Sequence, residues 1–406
     1  MRRTALILAL AALAALAAAG CSGKTELIRS TQTVEVPVNG IQSHTPQAGQ
    51  KLGFPTIATK NTTRVAGADP VADAAGVALA VYPSAAAGTH PQAVVIAPTD
   101  DWEAALASSV LMASPLRAPL LLSPAGKLPS ATSDALGELA PTGAGPIDGA
   151  QVIRVGDVPV PSKLKATAIA GRDPASLAAA IDRFASAAAG HPSPDVVIAS
   201  TSDATYAMPA AGWAAESGDP ILFVTGSSVP AATAQALVAH QHPHIYVLGP
   251  PSIVPDSLLK QLGRYGTVKR VGAQGADANS VAFATYRDPP CAHNQPCVHV
   301  PGSFGWALTS PGHGYTLLNA GRPLDAAAAA PLSASGTYGP ELVIENANQL
   351  PSSVLNYFLN YATPGYTQEG PTAAVYNHGW VIGDQTAVSV AVQAEMDSLL
   401  EVVPQR

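Results

Sequence analysis

Gly171-Arg172-Asp173-Pro174-Ala175-Ser176-Leu177 opens the stretch whose pattern settles the fold class. Asp173 suits a helix N-cap and Pro174 the first helical position, where a missing N–H costs nothing. Leu177, Ile181 and Phe184 follow at i, i+4 and i+7, one apolar stripe of a helix. His191-Pro192-Ser193-Pro194 breaks that helix, and Val196-Val197-Ile198-Ala199 has the β-branched character of a strand covered on both faces. A helical stretch from Met208 to Ala215, a strand over Ile221–Val224, a helix over Ala232–Val238 and a strand over Ile245–Leu248 complete the run. Strands alternating with helices at this spacing predict a parallel sheet with right-handed crossovers.

The same script is written three times. Gly67-Ala68-Asp69, Gly171-Arg172-Asp173 and Gly275-Ala276-Asp277 each precede an Ala-rich stretch, and their aspartates stand 104 residues apart in both intervals. Pro119-Leu120-Leu121-Leu122, Pro220-Ile221-Leu222-Phe223 and Pro340-Glu341-Leu342-Val343-Ile344 follow in order, then Val155-Gly156, Leu248-Gly249 and Ile382-Gly383. Three ordered markers in three copies predict a triplicated α/β domain, each copy a doubly wound, flavodoxin- or Rossmann-like module. The predicted repeats are 61–163, 164–266 and 267–406. The distance from aspartate to strand proline is 50, 47 and 63 residues, so the third copy carries an insertion, placed at 288–314.

Ahead of the repeats, Met1-Arg2-Arg3 and the apolar run to Leu16 form a signal peptide over 1–20. Ala18-Ala19-Gly20-Cys21 resembles the lipobox of bacterial lipoproteins, which implies lipidation at Cys21 and a membrane anchor without a spanning helix. The alternative is an ordinary secretory signal with Cys21 incidental. Residues 21–60, rich in Ser, Thr, Gln, Pro and Gly, read as a flexible tether. The predicted address is extracytoplasmic, lipid-anchored to the cell membrane.

Beyond the tether the order R-hydrophobic-A-G-x-D, buried strand, aspartate loop, A-P-L-L-L, L-P and V-L-G resembles the cell wall binding repeat, type 2. Arg64-Val65-Ala66-Gly67-Ala68-Asp69 and Ala118-Pro119-Leu120-Leu121-Leu122 match best, and the third copy carries Arg270 and Leu324-Asp325-Ala326. The arginine position is Ala168 in the second copy, and the loop aspartate is Ala104 and Tyr206 in the first two. The resemblance implies three modules packed as a pseudo-threefold triangle and a non-catalytic role in attachment to an anionic wall polymer.

The recurrent aspartates are expected to cap helices. Ligands of parallel sheets sit beyond the carboxyl ends of the strands, which directs attention to Thr99, Asp100, Asp101 and Trp102, to Thr201, Asp203 and Tyr206, and to Asn319, Arg322 and Asp325. The acids beside Trp102 suit a cation or neutral sugar, or equally a solvated loop with a helix cap. A net charge of −7, or −9 without Arg2 and Arg3, is unusual for a polyanion binder. Candidate basic patches are Lys163 and Lys165 near Arg172, Lys269 with Arg270, and Arg64; scattered solubilising charge is the competing reading. In Cys291-Ala-His293-Asn-Gln-Pro-Cys297-Val-His299 the alternation suits a metal, but outside the cytoplasm a Cys291–Cys297 disulfide is favoured. No metal, cofactor or nucleic acid is assigned.

The G-x-S-x-G elbow and the H-E-x-x-H helix are absent, and Gly143–Gly149 precedes a strand instead of following one. The sequence therefore predicts a membrane-tethered wall-binding protein without catalysis. A solute-binding lipoprotein and a modifier of a cell wall hydrolase are the alternatives.

Overall fold

The computed structural model describes residues 56–290, 303–335, 339–366 and 374–404, all within one compact unit, Asn39–Arg406. Cys21, Cys291 and Cys297 lie outside the described residues, as do the signal peptide and most of the tether.

The chain enters through an antiparallel pair, β1 (Thr56–Ala58) and β2 (Thr62–Val65), followed by α1 (Pro70–Val81). Next come β3 (Val94–Pro98), α2 (Trp102–Ser108) with a 3-10 turn, β4 (Leu120–Ser123), α3 (Ser130–Leu139), β5 (Val152–Val155) and β6 (Ala166–Ile169). The second passage is α4 (Pro174–Ala189), β7 (Asp195–Ser200), α5 (Ala204–Ala207), α6 (Pro209–Ser217), β8 (Ile221–Val224), α7 (Ala231–Ala239), β9 (His244–Leu248), α8 (Asp256–Leu262) and β10 (Thr267–Val271). The third is α9 (Ala276–Thr285), β11 (Gly314–Asn319), α10 (Leu324–Ser333), β12 (Glu341–Ile344), α11 (Ser352–Tyr357), β13 (Gly365–Tyr366), β14 (His378–Ile382), α12 (Val390–Leu399) and β15 (Val403–Pro404).

Three large parallel sheets result, ordered β4-β3-β5-β6, β8-β7-β9-β10 and β12-β11-β14-β2, with β1 added antiparallel at the edge of the last and β13 and β15 forming a separate two-stranded pair. Counted within each sheet the order is 2-1-3-4, the flavodoxin-like winding. The sheets do not follow the sequence repeats. The strand that opens the second repeat, β6, pairs with β5 of the first, and β10 pairs with β9. The cycle closes through β2, which pairs parallel to β14 with Arg64 opposite Val381. Each sheet thus borrows its fourth strand from the next copy, and the third borrows from the first.

The central strands β3, β7 and β11 are buried on both faces almost throughout, as their apolar runs predicted. One core cluster draws on all three passages, and each sheet has a smaller core of its own on the outer side. The helices after the first strands, α2, α6 and α10, meet at the centre, where α10 is buried along its whole length. Their alanines permit this close approach: a Cβ on Gly212 of α6 would lie 2.5 Å from Ser333 Oγ of α10. The opening helices of the first two copies lean on the central helix preceding them in the cycle, α1 on α10 and α4 on α2, while α9 touches the short α5 that precedes the central α6.

One expectation needs correction. Asp69 and Asp173 do cap helices, accepting from Ala72 N at 2.9 Å and Ser176 N at 2.9 Å. Asp277 does not. Val65, Ile169 and Val271 occupy one register position, each accepting from the glycine that ends the third strand. Counting from them, the third cap position is Gly275, at φ 94°, with Asp277 inside the first turn. The first 104-residue interval therefore joins equivalent positions and the second does not. The described end of the insertion packs into the core. Phe304 and Trp306 are buried, Phe304 stacks on Tyr246 at 3.5 Å, and Trp306 meets Trp213 edge-on at 5.2 Å.

Candidate functional site

At the carboxyl end of the β12-β11-β14-β2 sheet, Arg322 pairs with two fully buried carboxylates, Asp73 of α1 and Asp325 of α10. The Arg322–Asp325 contact is 2.7 Å, and Gly67 N donates to Asp73 at 2.8 Å. Gly67 has to be glycine, because a Cβ there would lie 2.5 Å from the Asp73 amide nitrogen. Burial pushes both carboxyls above the usual range; Asp325 raises Asp73 further, and Arg322 opposes the rise in each. Beside them Arg64 is 1% exposed, donating to Gln393 Oε1 at 2.8 Å, Gly383 O at 2.8 Å and Asp384 O at 3.0 Å. Burial lowers its pKa to about 10, against the nearby charges of Asp384 and Asp73. Asn319 Nδ2 holds Ala387 O at 2.7 Å.

Equivalent positions in the other two sheets carry different chemistry. In the middle sheet Arg270 takes the place of Arg64 and binds Gly249 O, Val254 O and Asp256 Oδ1, each at 2.7 Å. Tyr206 replaces Asp325, its hydroxyl accepting from Gly275 N at 3.1 Å, and Asn279 replaces Asp73. Asp203 caps α5 through Thr205 N, and Thr201 N is held by Val224 O. In the first sheet the series is Ala168, Leu177 and Ala104, without a charge. Asp101 caps α2 through Ala104 N at 2.8 Å, and Trp102 packs edge-on against Phe223 at 5.6 Å. Thr99 is half-buried against β4, and Asp100 is exposed.

The sequence-predicted basic patches are separated by the fold. Lys163 and Lys165 stand before β6 and Arg172 after it, at opposite ends of the strand. Lys165 reaches Asp148 O, and Lys163 is exposed. Lys269 and Arg270 are adjacent on β10 and face opposite ways; Lys269 pairs with Asp288 at 2.5 Å while Arg270 grips backbone. The arginines that motif reading singled out at 64, 270 and 322 are all occupied by internal partners. Asp73 was not anticipated. Its signal was an acid in the apolar face of α1, where the second copy has Leu177.

Among the described residues no group of His, Cys, Asp and Glu is arranged to hold a metal ion, and no helix is long and apolar enough to cross a membrane.

A three-sheet chain of flavodoxin-like modules, with its strand-end sites at the module junctions, defines the class as a tandem α/β repeat protein. Residues 168–259, most of the middle copy, match the family described as Cell wall binding domain 2 (CWB2). The fold is similar to that of Cwp8 from Clostridium difficile, with 16% identity and a TM-score of 0.60 over 84% of this chain and 53% of that one. It is also similar to that of Cwp6 from Clostridium difficile, with 16% identity and a TM-score of 0.64 over 86% of this chain and 49% of that one. The chain spans about half the length of these two structures. No curated protein matches.

Proposed function

We propose that the chain is a non-catalytic cell wall binding lipoprotein, anchored through lipid on Cys21 and attached to an anionic wall polymer by its three modules. The observation that carries this reading is the CWB2 match of residues 168–259 within a chain whose three sheets share one winding order. The strand-end sites are differentiated. The third is sealed by Arg322 with Asp73 and Asp325, the second carries Arg270 and Tyr206, and the first is apolar. Binding strength is thus expected to be divided unequally among the modules. A Cys291–Cys297 disulfide would tie off the insertion in an oxidising compartment.

The test is co-sedimentation of a Cys21→Ser chain, free of lipid, with purified cell walls before and after extraction of their anionic polymers. Pelleting that disappears on extraction is expected. Pelleting that survives extraction overturns the polymer assignment, and no pelleting at all overturns wall binding in favour of a solute receptor.

A further inference from the structure

A groove of about 490 Å³ runs between α4 and α7 of the middle module, within the range of small-ligand sites. Arg172 and Arg183 stand on its rim, both exposed. Neither guanidinium forms an ion pair or hydrogen bond among the described residues, in contrast to Arg64, Arg270 and Arg322.

The floor is built for polarity. His240, 6% exposed, directs Nε2 at both Asp182 oxygens at 3.1 Å and Nδ1 at Ser193 O at 2.7 Å. Both ring nitrogens face acceptors, so the ring serves as a double donor and its charge balances Asp182. Burial lowers the His240 pKa, but the bond to Asp182 and its charge outweigh it and the net direction is upward. Asp173, the other acid at the groove, is occupied in capping α4. The balance left on the rim is positive, in a chain of net charge −7.

The groove belongs to this module alone of the first two. Asp69 and Asp173 align α1 with α4, while Thr132 and Thr233, which donate to Leu122 O and Phe223 O, align α3 with α7. On that alignment Asp182, Arg183 and His240 replace Ala78, Leu79 and Leu139, which in the first module close the same helix pair as an apolar cluster. These three differences leave an open, charged seam where the first module has a packed one. Ser176, Ser186 and Gln235 supply hydrogen-bonding groups, and Ala179, Ala236 and Pro192 supply apolar surface.

We propose that this groove is an anion subsite that takes a sugar unit bearing a carboxylate or a phosphate, held by Arg172 and Arg183. Guanidinium forks suit both oxyanions. The inference rests on the wall-binding reading and deepens it.

Titrating the full Cys21→Ser chain with poly(glycerol phosphate) and with polygalacturonate tests it and tells phosphate from carboxylate. Binding of one or both, weakened about tenfold in Arg172→Gln/Arg183→Gln, is expected, with a steep salt dependence. Arg117→Gln/Arg264→Gln removes the same charge from exposed positions elsewhere and should bind as the parent does. Equal binding by the groove variant, or no binding of either polyanion by the parent at low salt, overturns the subsite. Parent pelleting with walls separates that failure from a failure of wall binding itself.

Discussion

Glu341 is the residue at which the third module departs most from its siblings. The register of the second strands places it where the others have Leu120 and Ile221. It is fully buried, and among the described residues neither its carboxyl oxygens nor the nearby Ser333 Oγ make a hydrogen bond of good geometry. Helix α6 of the middle module lies directly on it, since a Cβ at Gly212 would come within 3.2 Å. Burial raises its pKa well above the usual value of 4.5, opposed only by the Gly212 backbone. An acid with a raised folded pKa costs nothing while both states are protonated. Above about pH 4.5 the unfolded chain ionises first, so stability falls as pH rises towards the folded value. Asp73, Asp219 and Asp325 tilt the same way, so the informative quantity is a difference between variants. Glu341→Leu is expected to flatten part of the slope and gain about 1–3 kcal/mol at pH 8, with little change at pH 4, in urea unfolding. Parallel pH profiles for the two proteins would refute it. The strand signal Pro-Glu-Leu-Val-Ile was legible in sequence, but that its acid is pressed beneath a helix from another copy was not.

Among the elements, β2 has the largest consequence for its size. It is four residues long, yet it completes the third sheet and is gripped by α12 and the loop before it. Asn61 N donates to Asp397 Oδ1 at 2.7 Å, Lys60 pairs with Glu401 at 2.6 Å, and Gln393 Nε2 donates to Thr62 Oγ1 at 3.1 Å. Arg64 adds the bonds to Gly383 and Asp384 across more than 300 residues of chain. Removing residues up to 65 would strip the partners of Gly379 N and Gly383 N, and hydrogen exchange along β14 is expected to accelerate sharply while β7 and β9 stay protected. Unchanged protection of β14 would show that β2 is dispensable. Strand and helix types were legible here because an apolar run or a capped stripe is a local property. The strand's sheet was not, because parallel pairing carries no mark in the strand itself.

At the scale of the molecule, the shared core predicts one unfolding event. Helices α2, α6 and α10 bury alanine faces against one another, and Trp213 and Trp306 sit where the second and third passages meet. Coincident denaturant transitions by far-UV circular dichroism and tryptophan fluorescence are expected. Separate transitions would mean that the modules fold independently. The same close packing explains the charge problem of the polymer reading. Arg64, Arg270 and Arg322 are occupied inside the junctions, whereas Arg172, from the motif that opens the second copy, lies with Arg183 in a groove.

Sequence by itself determined the class of the fold: three copies of strand and helix, their order, and the caps at Asp69 and Asp173. These follow from periodicity and turn chemistry, which act over a few residues. Tertiary structure alone decided that the sheets are offset from the repeats, that Gly275 and not Asp277 holds the third cap position, and that Arg64, Arg270 and Arg322 face inwards. It also decided that Arg172 and Arg183 face a groove. The reason is that pairing, burial and charge balance depend on residues brought together from distant parts of the chain, and one residue's type does not say which neighbour it will meet.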